Sequence, residues 1–206
     1  MHERALARAP DGGVEHFARN VYFDHALACQ AIKVLPGEYH VASHELAIVT
    51  VLGSCVSACL RDTRLKIGGM NHFMLPDASS GVASESARYG AYAMELLLNH
   101  LLKMGARREN LEAKVFGGGR VLAALIGAQV GERNAEFVQS YLQTEKIPVV
   151  AADLLDIHPR KICFFPQTGR VLVKRLHEAR DAALLERERA YAASLKKPLS
   201  GAIELF

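Results

Sequence analysis

Short apolar runs broken by turn residues fill the first half of the chain and predict strands. Between residues 31 and 75 these runs are rich in β-branched residues and are separated by Gly, Pro and Asp-Thr turns, a pattern typical of neighbouring, largely antiparallel strands. The Pro36–Gly37 turn between the runs AIKVL and EYHVA predicts a hairpin. Residues 1–30 are polar and mixed, and we expect an N-terminal extension there, with a helix or turn near residues 16–30.

Helical spacing replaces this pattern in two later segments. Apolar residues recur on one face of Ser84–Met104, and Gly105 follows them as a helix terminator. A second helix is predicted near Glu132–Lys146, after a strand at residues 111–117, and three more strands follow within residues 147–176. Strands and helices grouped in this way favour an α+β fold over a doubly wound sheet.

Charge dominates the C-terminal segment, residues 177–206. Residues 177–197 predict a highly charged surface helix, followed by a tail. Its charged face is expected to be solvated and contains Arg180, Glu186, Arg187 and Glu188. The remaining residues, 31–176, are then predicted to form one domain between the N-terminal extension and this charged helix.

Composition narrows the class of protein. The chain has 206 residues, a usual length for one domain, and its 50% hydrophobic and 23% charged residues exclude a disordered or low-complexity protein. The net charge of 25 − 22 = +3 is too small and too scattered for a nucleic-acid footprint. No apolar run approaches the roughly 20 residues of a membrane helix, and residues 1–16 lack the apolar centre of a secretory signal. We therefore expect a cytoplasmic globular protein without membrane insertion.

One of the four cysteines is a candidate for chemistry. All four are expected to be free thiols in such a protein: Cys29, Cys55, Cys59 and Cys163. Cys55 directly follows Gly53 and Ser54 between two apolar strand-like runs. Small residues permit a tight turn there, which would open the sulfur to a substrate and leave backbone N–H groups free to bind an oxyanion.

A cysteine nucleophile also needs a base, and His72 is the candidate because strand pairing can bring it to Cys55. Thr50 is the candidate for the third group, which holds the imidazole in its correct tautomer. Two other interpretations stay open. In the first, Cys55 and His72 are ordinary packing residues, and Cys59 is a structural thiol on the same strand face as Cys55. In the second, Cys55, Cys59 and His72 bind zinc. The zinc interpretation lacks a paired CxxC or HxxxH signature.

The glycine run in Phe116–Arg120 invites comparison with a phosphate-binding loop. It lacks the Lys-Ser/Thr of a Walker loop and the spacing of GxGxxG. A tight strand-to-helix turn at the rim of a cleft is the favoured interpretation.

Several of these residues belong to motifs that together resemble the CheD family, the chemoreceptor glutamine deamidases of bacterial chemotaxis. The resemblance covers about Lys33 to Leu176. Its motifs are LPGE from Leu35, TVLGSCV from Thr50, GGMNHFMLP from Gly68, AKVFGGG from Ala113, GERN from Gly131 and TGRV from Thr168. The spacing between Leu-Gly-Ser-Cys and His-Phe-Met-Leu-Pro, together with the order of the motifs, makes the resemblance specific.

The resemblance implies a catalytic set that corresponds here to Cys55, His72 and Thr50. Around it we expect an oxyanion-binding turn at Gly53 and Ser54, and a substrate cleft bordered by Asn71, Gly117 and Gly118. The fold it implies is a β-sandwich-like core of mostly antiparallel strands with helices packed outside, in a single domain. No metal or organic cofactor is expected.

The activity that the resemblance implies is hydrolysis of selected glutamine side chains of methyl-accepting chemotaxis receptors to glutamate, with release of ammonia. Cys55 attacks as a thiolate to form a thioester, and His72 either takes the thiol proton or rests with Cys55 as an ion pair. Chemoreceptors are the implied partners, a CheC-type phosphatase is a second one, and no nucleic acid is expected.

Two other functions stay open. A regulatory binding module would dock on chemoreceptors or on a CheC-type phosphatase, and Cys55 would be dispensable for it. A Cys-His amidase or peptidase with another substrate would be recognised by cleaved backbone products rather than by released ammonia.

Overall fold

Two five-stranded sheets face each other across a shared core. The structure is a computed structural model that describes residues 16–76, 83–120, 129–176 and 181–195. In chain order the elements are β1 (Asn20–Asp24), β2 (Cys29–Lys33), β3 (Tyr39–Ala42), β4 (Ala47–Leu52), β5 (Val56–Asp62), β6 (Ile67–Asn71), α1 (Ala83–Lys103), a 3-10 turn (Arg108–Asn110), β7 (Leu111–Gly117), α2 (Val130–Thr144), β8 (Val149–Leu154), β9 (Arg160–Phe165), β10 (Arg170–Arg175) and α3 (Asp181–Leu195). No helix among the described residues is both long and apolar enough to cross a membrane.

The strand order is β1-β2-β4-β9-β10 in the first sheet and β3-β6-β5-β7-β8 in the second. Neighbouring strands are antiparallel except in the pairs β2–β4 and β7–β8. The predicted α+β fold with mostly antiparallel strands in a sandwich-like arrangement is therefore confirmed. The helices predicted at Ser84–Met104 and near Glu132–Lys146 are α1 and α2, within two residues at each end.

The predicted hairpin at Pro36–Gly37 is wrong. The chain does turn there, and Gly37 has a φ of +85°, but β2 belongs to the first sheet and β3 to the second. The turn is thus a crossing between sheets. The reason is that β2 pairs with β4 in parallel, whereas β3 pairs with β6, so the two strands have no ladder in common.

The first described residues also differ from expectation. Of the helix or turn expected near residues 16–30, the structure has a turn at residues 25–28, and residues 20–24 form the strand β1, which pairs antiparallel with β2 through this turn. Phe17 and Ala18 are buried just before it. Residues 1–15 of the expected extension, Arg180 and the tail 196–206 lie outside the described residues.

Successive side chains along β5 point to opposite faces of the second sheet, and each face borders a different hydrophobic core. Val56, Ala58 and Leu60 on β5 face a core that is shared with α1 and α2. Cys59 on β5 and Cys55 directly before it point to the opposite face and belong to the core between the two sheets. Side chains on this second face of β5 and β6 therefore meet the first sheet.

A buried arginine ties the two sheets together at one end. Arg160, the first residue of β9, is 0% exposed and donates hydrogen bonds to the backbone oxygens of Gly117 (2.8 Å), Asp153 (2.8 Å) and Leu155 (2.7 Å). Its guanidinium also lies 3.5 Å from the Asp153 carboxylate. The end of β7 and the loop after β8 are thus held against the first sheet by one side chain.

Replacing this side chain is expected to destabilise the fold. Arg160→Met removes one donor from each of three carbonyl oxygens and should lower the free energy of unfolding by roughly 3 kcal/mol or more. Urea unfolding measures the change, and Arg64→Met, at an exposed arginine, is the matched control. Equal stability of the two variants would contradict the role assigned to Arg160.

Candidate active site

Two residues of the predicted catalytic set, Thr50 and His72, are hydrogen-bonded to each other, and Cys55 belongs to the core between the sheets. Thr50 lies on β4 of the first sheet, Cys55 directly precedes β5 and His72 directly follows β6 in the second sheet. All three are buried, at 2%, 0% and 2% exposure. The site is therefore assembled from both sheets.

Strand pairing brings Cys55 and His72 to one face. The next residues along the chain, Val56 and Phe73, exchange both backbone hydrogen bonds, at 2.9 and 3.0 Å. Cys55 and His72 flank this antiparallel pair as diagonal neighbours, an arrangement in which side chains on the same face can touch. The bridge puts the two side chains on the same face of the strand pair, and their role as nucleophile and base stays a prediction.

Thr50 fixes the tautomer of His72. The Thr50 hydroxyl donates to the backbone oxygen of Val34 at 2.7 Å, and its oxygen lies 2.8 Å from Nδ1 of His72. Because the hydroxyl proton is already used, Nδ1–H of His72 is the donor to Thr50. The other ring nitrogen, Nε2, is then unprotonated, and it is buried without a hydrogen-bond partner among the described residues. This lone pair is free to accept a proton.

The buried pair is uncharged at rest. Burial lowers the pKa of His72 to about 3, and the nearby Arg187 contributes to the same shift. Burial raises the pKa of the Cys55 thiol well above its usual value, and the Glu188 carboxylate raises it further. These shifts favour a neutral imidazole and a neutral thiol over an ion pair of the two groups.

The turn before β5 presents a row of backbone donors, and all of them point to one carboxylate. Glu188 of α3 accepts hydrogen bonds from the backbone N–H groups of Gly53 (2.9 Å), Ser54 (3.1 Å) and Cys55 (3.2 Å), and from the Ser54 hydroxyl (2.7 Å). The same turn is the one in which the sequence predicts oxyanion binding. Its donors converge, as an anion site requires.

This contact corrects the expectation that the charged face of the last helix is solvated. Glu186 and Arg187 are exposed, but Glu188 is 1% exposed and bonded to the turn. The carboxylate enters the core because the three N–H groups and the hydroxyl satisfy its oxygens. One signal was available in the sequence: Tyr191, Ala192 and Leu195 follow Glu188 at helical spacing on one face.

The glycines after β7 hold the other side of the same turn. The N–H of Gly118 donates to the Cys55 oxygen and that of Gly119 to the Gly53 oxygen, both at 2.8 Å. Gly117 has a φ of +109°, and a Cβ there would lie 2.1 Å from the Cys55 oxygen. Since the Gly118 and Gly119 N–H groups already have partners, the run is a structural clamp and not a free phosphate cradle.

Two buried asparagines, Asn71 and Asn134, support different parts of the structure, and only Asn71 was predicted to border the substrate cleft. The side chain of Asn71 bonds the Ala58 N–H at 2.9 Å and the Ala93 oxygen at 3.1 Å, on the side of α1. Asn134 of α2, to which the sequence assigned no role, is 0% exposed. It donates to the Ser54 oxygen and accepts from the Leu75 N–H, both at 2.8 Å. Asn134 therefore supports the turn that holds Cys55.

A small cleft reaches His72 from the outside. It is bordered by Val34–Pro36, Thr50 and His72 on the sheet side and by Arg187 and Glu188 of α3 on the other. Within the part of the chain that the structure describes, no three His, Cys, Asp or Glu side chains form a group that could hold a metal ion.

The protonation state of His72 can be checked directly. Ring nitrogen NMR shifts of the folded protein are expected to show Nδ1 protonated and Nε2 unprotonated, and the ring neutral at pH 5 because its pKa is lowered to about 3. Thr50→Ser should keep this tautomer, whereas Thr50→Val removes the acceptor of Nδ1–H. A charged ring at pH 5, or an Nε2–H tautomer, would contradict the assignment.

Comparison with known proteins gives relatives over nearly the whole chain. A protein from Dechloromonas aromatica named probable chemoreceptor glutamine deamidase CheD 1 is 59% identical over 194 residues, which cover 93% of this chain and 96% of the relative. Proteins named probable chemoreceptor glutamine deamidase CheD from Methylobacillus flagellatus and from a Janthinobacterium species are 57% and 56% identical, each over 93% of this chain and 97% of the relative.

A family model points the same way. The model described as CheD chemotactic sensory transduction matches residues 74–175. That range begins just after His72, whereas the relatives cover 93% of the chain and therefore include the segment from Thr50 to His72. Sequence motifs, fold and relatives agree, and the chain belongs to the CheD family.

Proposed function

We propose that this chain is a chemoreceptor glutamine deamidase, which hydrolyses side-chain carboxamides of chemoreceptors to carboxylates and releases ammonia. The named relatives, at 56–59% identity over 93% of the chain, support the reaction and the substrate. The observation that carries the chemistry is the Thr50–His72 hydrogen bond, because it leaves an unprotonated Nε2 on the same strand face as the Cys55 thiol.

The first step is attack by the cysteine. Nε2 of His72 takes the proton of Cys55, and the sulfur forms a bond to the carboxamide carbon of the glutamine. The carbonyl oxygen becomes an oxyanion, and the backbone N–H groups of the turn at residues 53–55 are placed to stabilise it. The Cys55 thiol and the His72 imidazole are both neutral at rest, and a buried site disfavours separate charges. Proton transfer to His72 is therefore favoured only as the oxyanion forms and balances the positive charge.

The second half of the reaction uses the same imidazole three more times. The proton on Nε2 is delivered to the departing nitrogen, the carbon–nitrogen bond breaks and ammonia leaves a thioester on Cys55. A water molecule then gives a proton to His72 and attacks the thioester. The carbon–sulfur bond breaks, His72 returns its proton to the departing sulfur so that the thiol is regenerated, and the carboxylic acid product ionises to glutamate. No metal or organic cofactor takes part in this proposed sequence.

Each turnover changes the electrostatics of the receptor. A neutral side chain is replaced by one negative charge, which alters repulsion between neighbouring helix faces and can shift a signalling equilibrium. Because the substrate is the cytoplasmic portion of a receptor, we place the reaction in the cytoplasm. A CheC-type phosphatase is a second proposed partner.

Removing the nucleophile tests the proposal. Cys55→Ala should abolish ammonia release and glutamine-to-glutamate conversion on the cytoplasmic portion of a chemoreceptor, as measured by peptide mass spectrometry. The matched control is Cys59→Ala, because Cys59 is also buried in the core between the sheets and should be dispensable for turnover. Undiminished conversion by Cys55→Ala would refute the cysteine mechanism. Receptor binding without conversion by the wild type would favour a docking module.

Thr50 is a positioning residue in this mechanism. Thr50→Val keeps the shape but loses the acceptor of the His72 Nδ1–H, and kcat is expected to fall by about tenfold to a hundredfold with little change in KM. Thr50→Ser keeps a hydroxyl and should restore most of the activity. If valine and serine variants lost activity equally, packing and not tautomer control would be the role of Thr50.

A further inference from the structure

Helix α3 lies over the candidate site with one face turned inward. Tyr191, Ala192 and Leu195 on this face pack against the core between the sheets. The Tyr191 hydroxyl is hydrogen-bonded to that of Tyr89 on α1, and it lies close to Gly37, where an added Cβ would be 3.0 Å from it. Glu188, one turn before Tyr191, is the residue of this face that reaches the turn at residues 53–55.

The contacts of Glu188 match those required of a substrate side chain. One carboxylate oxygen accepts from the N–H groups of Gly53 and Cys55, and the other accepts from the N–H and hydroxyl of Ser54. A Cβ on Gly53 would lie 2.8 Å from each of these oxygens, so the glycine is what lets the carboxylate approach the backbone. The thiol of Cys55 is close enough for Glu188 to raise its pKa.

A glutamate side chain is also the product of the proposed reaction. It has the same length as glutamine and differs only at the terminal group, where the reaction replaces nitrogen by oxygen. We infer that α3 occupies the substrate cleft of its own chain, with Glu188 held where the side chain of a substrate glutamine binds and is converted. This inference rests on the proposed function.

Two consequences follow for activity. With α3 docked, Cys55 is 0% exposed and its backbone donors are occupied, so a receptor has to displace the helix before reaction. Because the occupant is helical, the cleft accepts a glutamyl side chain that is presented from a helix. The last helix is thus an internal competitor of the substrate, and its displacement regulates the enzyme.

Occupation of the substrate cleft by α3 is tested by comparing Glu188→Ala with Glu186→Ala in the full chain. Glu186 is on the same helix and exposed, so its variant should behave as the wild type. Glu188→Ala should increase the alkylation rate of Cys55 by iodoacetamide, followed at that residue by peptide mass spectrometry, by about tenfold or more, and should increase receptor deamidation. A milder variant, Tyr191→Phe, removes only the bond to Tyr89 and should give a smaller increase.

Placement of the side chain is tested by Glu188→Gln. If the introduced glutamine sits in the reacting position, Cys55 attacks its carboxamide, ammonia leaves and water restores a carboxylate, so the protein converts itself back to the wild-type sequence. The reaction should be first order and independent of protein concentration, and peptide mass spectrometry follows it. Glu188→Gln combined with Cys55→Ala should keep the glutamine.

The outcomes separate this inference from the proposed function. If the wild type deamidates a receptor but neither Glu188→Ala nor Tyr191→Phe, shown to be folded by thermal unfolding, changes Cys55 alkylation, the inference is overturned and the function stands. If alkylation of Cys55 rises but neither the receptor nor the introduced glutamine is converted, α3 does shield Cys55 and the deamidase function is overturned. Persistence of that glutamine in a Glu188→Gln enzyme that converts receptors would overturn the placement of Glu188 as the substrate side chain.

Discussion

The site depends on how one buried turn satisfies its backbone. Residues 53–55 carry three N–H groups and three carbonyl oxygens into a core, where each needs a partner. Gly118, Gly119 and Asn134 supply donors to the carbonyls, and Glu188 accepts from the N–H groups. The carbonyl side is fixed by the scaffold, whereas the N–H side is filled by the Glu188 carboxylate, the group that we propose a substrate side chain replaces. Under that proposal, the N–H side of the turn is the part that binds the substrate.

Supports for this turn come from several distant parts of the chain. Arg160 donates a hydrogen bond to the Gly117 oxygen and so fixes the start of the glycine run Gly117–Gly119. Asn134 of α2 donates a hydrogen bond to the Ser54 oxygen. Each is a polar side chain with no exposed surface. Their hydrogen bonds position the backbone around Cys55 more specifically than apolar packing alone would.

The sequence predicted the strands from β2 onward and the helices α1 and α2 because each has a local signal, either β-branched runs or helical periodicity. A short motif singled out Thr50, Cys55 and His72, of which the structure joins Thr50 and His72 by a hydrogen bond. What it missed were contacts between residues far apart in the chain. Pro36–Gly37 looks like a hairpin turn, but pairing partners decide which sheet a strand joins. Glu188 looks solvated because its buried face has only three apolar neighbours, and its donors lie some 130 residues earlier. Asn71 and Asn134 are chemically identical, and only tertiary packing shows that the second one supports the turn.

The location of Thr50 on the first sheet has a consequence for when the chain becomes reactive during its synthesis. β4 lies between β2 and β9, so its sheet stays incomplete until residues 160–165 have emerged from the ribosome. Cys55 and His72 belong to segments made much earlier. Until β9 is inserted, β4 has only β2 as a pairing strand in this sheet. In the proposed mechanism, the residue that orients the base therefore lies on a strand whose pairing is completed only when most of the chain has been made.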